Sequence, residues 1–363
     1  LADHAARPHP QEWIVITDWG FPDFDAHEGV HLFTDRESGL SAVVAVHSTA
    51  LGPAAGGVRF WHYADSRGAF TDALRLSRGM SYKNAMAGLA LGGGKGVILA
   101  DAARTKTPEM LRAFARAINT LGGRYVTAQD VGMSAADIAA IASDTRYVSG
   151  LPAEAGKPGG DPGPTTATGV YLGIKAAAKR GLGADTMAGV RVAIQGVGSV
   201  GGGVARKLAA DGARLMLADV DTARAAALAA ELGADTADTA EILSLETDIV
   251  SPNALGAILT ESAIAGLRCQ VVAGGANNQL ATAQDGRRLH ERGILYAPDY
   301  VINAGGIINV GLEYLGVEDR AEVDRKVEAI PARLNQVWDE SEASGDPASL
   351  VADRIAQRLI GRG

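Results

Sequence analysis

Apolar residues along this chain fall into two rhythms, and the places where one gives way to the other mark its elements. Short runs rich in β-branched residues at 13–17, 30–34, 42–47 and 96–99 predict strands. Between them Ala69, Ala73, Leu76 and Met80 recur at three- and four-residue spacing, which predicts a helix over 69–87. A second helix over 110–121 follows the start signal Thr107-Pro108-Glu109, and a strand at 125–127 precedes a third helix after Ser134. Residues 150–164, GLPAEAGKPGGDPGP, are too rich in glycine and proline for helix or inner strand. They read either as a crossing between two domains, with a hinge at a cleft, or as a plain surface linker.

Beyond Thr166 the rhythm becomes βαβ, with short apolar runs at 190–195, 214–219, 247–250, 270–273 and 293–296. Such alternation predicts a parallel, doubly wound sheet. Val323, Val327, Ile330, Leu334 and Trp338 share one helical face, and a further helix covers 348–360. The expectation is an α/β protein of two domains with an active-site cleft between them. Residues 1–150 form an α/β substrate and oligomerisation domain, and residues 151–330 a Rossmann-type domain that binds NAD. The helices of 331–363 return to the first domain.

Composition narrows the function classes. A chain of 363 residues exceeds one hydrophobic core, and its net charge of −8 favours neither nucleic acid nor an anionic membrane. No apolar run is long enough for a membrane span, and the first residues lack a secretory signal, so a cytoplasmic protein is expected. The single cysteine, Cys269, fits a reducing compartment and sits in LRCQVVAG, which reads as inert core rather than a reactive thiol. The histidines, His27, His47 and His62 among them, lack partners at metal-ligand spacing.

In VRVAIQGVGSVGGGVARKL, Gly196, Gly198 and Gly201 stand at GxGxxG spacing after a strand and before a helix. Pyrophosphate can approach that backbone, and the helix N-terminus offers N–H groups through Ser199 and Val200. Asp219 ends the next strand, where a carboxylate binds ribose hydroxyls and repels a 2′-phosphate, favouring NAD over NADP. Asp221 competes for that role, with helix capping as its alternative. Gly202 and Gly203 have no evident reason to follow Gly201.

Upstream, Lys83 in GMSYKNAMAGL and Lys95 in LGGGKGVIL lie among residues expected to be buried. Two ammonium groups sharing a desolvated cleft disfavour double protonation, which leaves one lysine neutral as a general base. Asp130 in TAQDVG, at a strand end, is the natural proton partner.

GPAAGGVR, DALRLSRGMSYKNA, LGGGKGVI, GRYVTAQDVG, AGGANNQL and YAPDYVINAGGIINV together resemble the amino acid dehydrogenase family of glutamate, leucine, valine and phenylalanine dehydrogenases, most nearly its leucine branch. The resemblance implies reversible oxidative deamination of an L-amino acid to a 2-oxo acid and ammonia. By matching motif, Lys83 binds the substrate carboxylate with backbone from Gly56, Lys95 is the base that activates water, and Asp130 assists proton transfer. Asn278 contacts substrate and nicotinamide ribose, and Thr166 holds the carboxamide. Ala254, Ala276, Asn253 and Asn303 border the cofactor, although relatives carry cysteine at the position of Asn253. For Asn278 and Asn303 the alternative is a turn or capping role.

Ala55, Met80, Ala128, Ser149, Ile307 and Val310 then line the side-chain pocket. The glutamate enzymes carry a lysine where Ala55 stands, and no residue of this set neutralises a second carboxylate, which argues against glutamate. Ala55 is smaller and Ile307 larger than their leucine-branch counterparts, so a branched-chain preference is expected with some activity on bulkier apolar side chains. A phenylalanine dehydrogenase is the first rival. A non-catalytic NAD-binding regulator is the second, but Lys83, Lys95 and Asp130 would then have no reason to persist. The resemblance also implies a homo-oligomer.

Overall fold

Two sheets organise the protein, one on either side of a cleft. The structure is a computed structural model, and it describes residues 19–100, 105–152 and 156–362. The strand expected at 13–17 lies outside the described residues.

The first sheet contains β1 (Gly29–Asp35), β2 (Leu40–Ser48), β3 (Ala54–Ala55), β4 (Val58–His62), β5 (Gly92–Ala100) and β6 (Tyr125–Val126). Its order is β1-β2-β5-β3-β6, with β4 also pairing β5. Strands β1, β2 and β5 run antiparallel, whereas β3, β4 and β6 join in parallel. The short strands β3 and β4 arise from GPAAGGVRFWH, whose glycines hide the alternation that announces a strand.

Helix Ser66–Met86, capped by Asp65, lies across this sheet against β5. Glycine makes the approach possible, because a Cβ on Gly93 would stand 2.0 Å from the backbone nitrogen of Ser81. Side chains alternate along a strand, so Lys95 leaves β5 on the same face as Gly93, beneath the helix. Ser134 and Asp137 form a capping box for helix Ala135–Ala142, so Asp130 is not needed as its cap.

The second sheet contains β7 (Arg191–Gln195), β8 (Arg214–Ala218), β9 (Asp235–Thr236), β10 (Ile249–Pro252), β11 (Val271–Val272) and β12 (Leu295–Tyr296), all parallel in the order β12-β11-β10-β7-β8-β9. Strand order reverses between β7 and β10, and the crevice at their carboxyl ends is where doubly wound sheets hold ligands.

The C-terminal helices divide between the two halves. The expected continuous face from Val323 to Trp338 is broken at Ala329, because Pro331 restarts a helix at its first turn. Helix Ile330–Ser344 packs on helix Gly163–Leu182 of the second half. Helix Ala348–Leu359 crosses back to helix Ser66–Met86, where Gln357 donates to the Tyr82 hydroxyl at 3.0 Å. Beyond it Arg362 reaches the carbonyls of Asp25, Ala26 and His47. Among the described residues no helix is long and apolar enough to cross a membrane.

Candidate active site

Lys95 is 5% exposed, and its Nζ donates to Asp130 Oδ2 at 2.7 Å. Arg59 Nε donates to that same oxygen at 3.0 Å, while Arg59 Nη1 reaches Asp72 Oδ2 at 2.7 Å. Tyr63 completes the chain by donating its hydroxyl to Asp72 at 2.7 Å. Burial pushes the Lys95 pKa down, against the opposing pull of Asp130. For Asp130 burial acts upward, but Lys95 and Arg59 outweigh it and hold the carboxyl below its usual range. Gly57 makes room for this cluster, since a Cβ there would lie 2.9 Å from the Cβ of Asp130.

Lys83 emerges from the last turns of helix Ser66–Met86 and reaches across the cleft to Asn277 Oδ1 at 3.4 Å. Burial lowers its pKa to about 8, and Asp299 from the second half opposes the shift. The expected repulsion between Lys83 and Lys95 is therefore not what perturbs Lys83. Each lysine has a carboxylate of its own, and desolvation does the lowering.

Asn277, not Asn278, turns toward Lys83. Asn278 adopts φ 51° and its carbonyl accepts from the N–H of Ala257, while its side chain borders a separate groove with Arg78 and Tyr82. Asn303 is 2% exposed and donates to Asn277 Oδ1 at 2.8 Å and to the Gly275 carbonyl at 3.2 Å. Its own Oδ1 is buried without a partner among the described residues. Asn277, Asp299 and Arg59 escaped the sequence reading, although all three lie within motifs already singled out.

Around this center the backbone of Gly56 is committed: its N–H donates to Val126 and its carbonyl accepts from Tyr125. Gly56 thus contributes clearance rather than a hydrogen bond, because a Cβ there would be 1.7 Å from the Gly94 carbonyl and 3.2 Å from Met80 Cγ. Ala55 and Ser149 are buried, whereas Ala128 and Ile307 are half-buried. Val310 lies beside Gly150, on a helix, Gly305–Tyr314, that the glycine-rich sequence concealed. That helix also fixes the crossing: Glu313 accepts from Gly150 and Leu151, and Asn309 both accepts from and donates to Gly159.

The fingerprint has the shape a dinucleotide needs. Gly196 takes φ +85°, and a Cβ on Gly201 would stand 1.9 Å from the Gly196 carbonyl. Gly198 faces open space at the N-terminus of helix Ser199–Ala210. Val200 packs toward Gly275, and the Ser199 hydroxyl fits against Gly163. The extra glycines gain a reason: a Cβ on Gly203 would lie 2.7 Å from Ala167 of the neighbouring helix, and one on Gly202 3.1 Å from the Val197 carbonyl.

Asp219 accepts from the N–H groups of Val197 and Asp221 at 2.8 and 2.9 Å, while Asp221 caps the next helix. A cavity of about 360 Å³ elsewhere lies on the domain seam, but one of about 350 Å³ is lined by Gln195, Gly198, Asp219, Val220, Arg224, Asn253 and Ala254. The second is the one at the sheet's switch point. Gln195 Oε1 is buried and unpartnered beside it. Asn253 spends its amide on Ser251 and the Gly275 N–H, tying two loops together. Ala276 is buried on the second of these loops, and its N–H donates to the Pro252 carbonyl. Thr166 stands one turn into helix Gly163–Leu182, close against Gly306.

The protein thus combines a glycine-rich crevice at the switch point of its parallel sheet with a buried lysine–carboxylate pair in its other half. Residues 27–147 match the family model for the "Glu/Leu/Phe/Val dehydrogenase, dimerisation domain", and residues 216–358 match "Glutamate/Leucine/Phenylalanine/Valine dehydrogenase". The chain is 47% identical over 334 residues to leucine dehydrogenase of Thermoactinomyces intermedius, covering 92% of this chain and 91% of that one. The chain belongs to the Glu/Leu/Phe/Val dehydrogenase family. Within that family it falls in the leucine branch, and it is an amino acid dehydrogenase. Valine dehydrogenase of Streptomyces albus is 45% identical over 342 residues, 93% of each chain. The crystal structure of L-tryptophan dehydrogenase from Nostoc punctiforme superposes with a TM-score of 0.82 at 39% identity, covering 92% of this chain and 96% of that one. The relatives are dehydrogenases of apolar amino acids, and dehydrogenation of this kind implies a nicotinamide cofactor.

Proposed function

We propose that the protein catalyses the reversible, NAD-dependent oxidative deamination of a branched-chain L-amino acid, of the leucine, valine or isoleucine kind. The observation that carries this reading is the buried Lys95–Asp130 pair, with Lys83 held across the cleft to receive a carboxylate. Gly196, Gly198, Ser199, Val200 and Gly201 would hold the pyrophosphate, and Asp219 the adenosine ribose. Thr166 and Asn303, whose buried Oδ1 lacks a donor, would hold the carboxamide end. Asp219 at the cavity favours NAD, and Arg224, the nearby cation, is already paired with Asp221 at 3.0 Å.

A nicotinamide held there would supply the acceptor for the hydride of the substrate α-carbon. Lys83 orients the substrate through its carboxylate. Lys95, as the neutral amine, takes a proton from the water that adds to the iminium carbon. Asp130 passes protons to and from the amino group until the adduct parts into 2-oxo acid and ammonia. Ala55, Met80, Ala128, Ser149, Ile307 and Val310 would surround the side chain, and Asn277, which reaches Lys83, would take the place near the amino group that the sequence assigned to Asn278. The family's dimerisation domain supports a homo-oligomer. Cys269, unpaired and with its thiol pushed up by burial to about 11, suits the reducing cytoplasm.

A second reading, preference for an aromatic side chain, draws on the small Ala55 and the likeness to L-tryptophan dehydrogenase. Initial rates of NADH formation with leucine, valine, isoleucine, phenylalanine, tryptophan and glutamate decide between them, with NADP as the cofactor control. Fastest turnover of a branched-chain substrate with NAD is expected. Faster turnover of an aromatic one would overturn the preference, and no turnover of any would overturn the reaction.

A further inference from the structure

Arg59 belongs to none of the roles above, yet it ties the site together. Its Nε and the Nζ of Lys95 converge on one oxygen of Asp130, at 3.0 and 2.7 Å, leaving Oδ1 without a partner among the described residues. Its other end is fixed by Asp72, which is itself steadied by Tyr63 at 2.7 Å and by Arg75 at 3.3 Å. A planar guanidinium held at both ends has no freedom to turn, so the carboxylate it grips has little either.

We propose that Arg59 is the positioning residue of the Lys95–Asp130 pair: it fixes the carboxylate against the lysine and sets the protonation at which that lysine works. The inference rests on the reading of Lys95 as the base. The electrostatic argument runs through charge balance. With Arg59 present, Lys95, Arg59 and the outlying Arg75 face two carboxylates, Asp130 and Asp72. Without it, Lys95 is the one cation left on Asp130, with only the half-exposed Arg75 on Asp72, and its ammonium form is favoured. Arg59 accordingly lowers the pKa of Lys95 and of Asp130. The other titratable groups facing the cluster are Tyr63 beyond β4 and Tyr125 on β6. Burial pushes both upward, and Tyr125 already donates to the Gly56 carbonyl, so neither titrates in the working range.

The test uses the full chain carrying Arg59→Met, Arg59→Lys or, as a control, Arg75→Met, which loses a partner of Asp72 without touching Asp130. The readout is kcat/KM for deamination against pH, with thermal unfolding and NADH affinity measured alongside. For Arg59→Met the rising limb moves to higher pH by about one unit, so activity falls about tenfold below the limb and recovers above it. Arg59→Lys shows a smaller displacement, and Arg75→Met none. Equal loss at every pH in both Arg59 variants, with the limb unmoved, would overturn the inference. Should Arg59→Met fail to fold, the position of the limb in Arg59→Lys decides alone. Wild-type protein that turns over no amino acid would instead sink the underlying reading of Lys95.

Discussion

A lysine in a cleft titrates according to what surrounds its nitrogen, and the two lysines here are surrounded differently. Lys95 is locked to Asp130, whereas Lys83 has a neutral amide within reach and feels Asp299 only at a distance. Lys83 should therefore be the more reactive amine in the free protein. Acylation of Lys83, followed by peptide mass spectrometry, should show a half-maximal rate at a pH of about 8, and a saturating 2-oxo acid should suppress it. A half-maximal point near the ordinary lysine value would contradict the desolvated setting. Both lysines were legible in the sequence because each interrupts an apolar stretch. Arg59 and Asp299 were not, since a partner 71 positions away is made only by folding. The choice between Asn277 and Asn278 was beyond the sequence for another reason: it depends on one backbone angle, the φ of 51° at Asn278.

Elements meet closely here where glycine removes the side chain between them. Helix Ser66–Met86 sits on β5 over Gly93, and helix Ser199–Ala210 meets helix Gly163–Leu182 over Gly203. Gly79 differs, because a Cβ there would meet nothing within 4 Å. Replacing Gly79 by alanine should stabilise the protein by about 0.5–1 kcal/mol in urea denaturation, the ordinary helical gain. Gly203→Val should cost about 1–3 kcal/mol by overpacking against Ala167. The same feature explains what pattern reading recovered. Five of the six strands of the second sheet alternate cleanly with helices and were legible from spacing alone; the exception is β9, two exposed polar residues with no apolar run. Strands β3 and β4 and helix Gly305–Tyr314 were hidden, because their glycines serve contacts with other elements and erase the local period. Gly305 itself would bring a Cβ within 2.3 Å of the Thr165 carbonyl.

At the scale of the whole molecule the seam between the halves carries its own charge problem. Asp353, on helix Ala348–Leu359, accepts from the Tyr300 hydroxyl at 2.8 Å, and burial raises its pKa from 3.8 to about 6. A raised carboxyl favours the neutral form in the folded state. Its stabilisation is thus full below the ordinary carboxylate range and is lost as pH rises through about 6. Asp353→Asn keeps an acceptor for Tyr300 and removes the charge. It should raise stability at pH 8 by about 1–3 kcal/mol while changing little at pH 4, as read from denaturation curves at the two values. Equal effects at both would show that the seam does not sense this ionisation.

The chain passes between its halves twice, once through the crossing that begins at Gly150 and again through the turn at Gly345 that leads into helix Ala348–Leu359. The first tether is held by Glu313 and Asn309, and the second is closed by Ser341 on the Asp346 carbonyl at 2.5 Å. Of the motions open to two bodies tethered at two points, rotation about the line between those points would be the least hindered. In the proposed pocket, the size of a substrate side chain lying against Val310, one turn from Glu313, would then be expressed as an angle of that rotation. Selectivity in such a molecule is a matter of how far the door closes as much as of what the pocket touches.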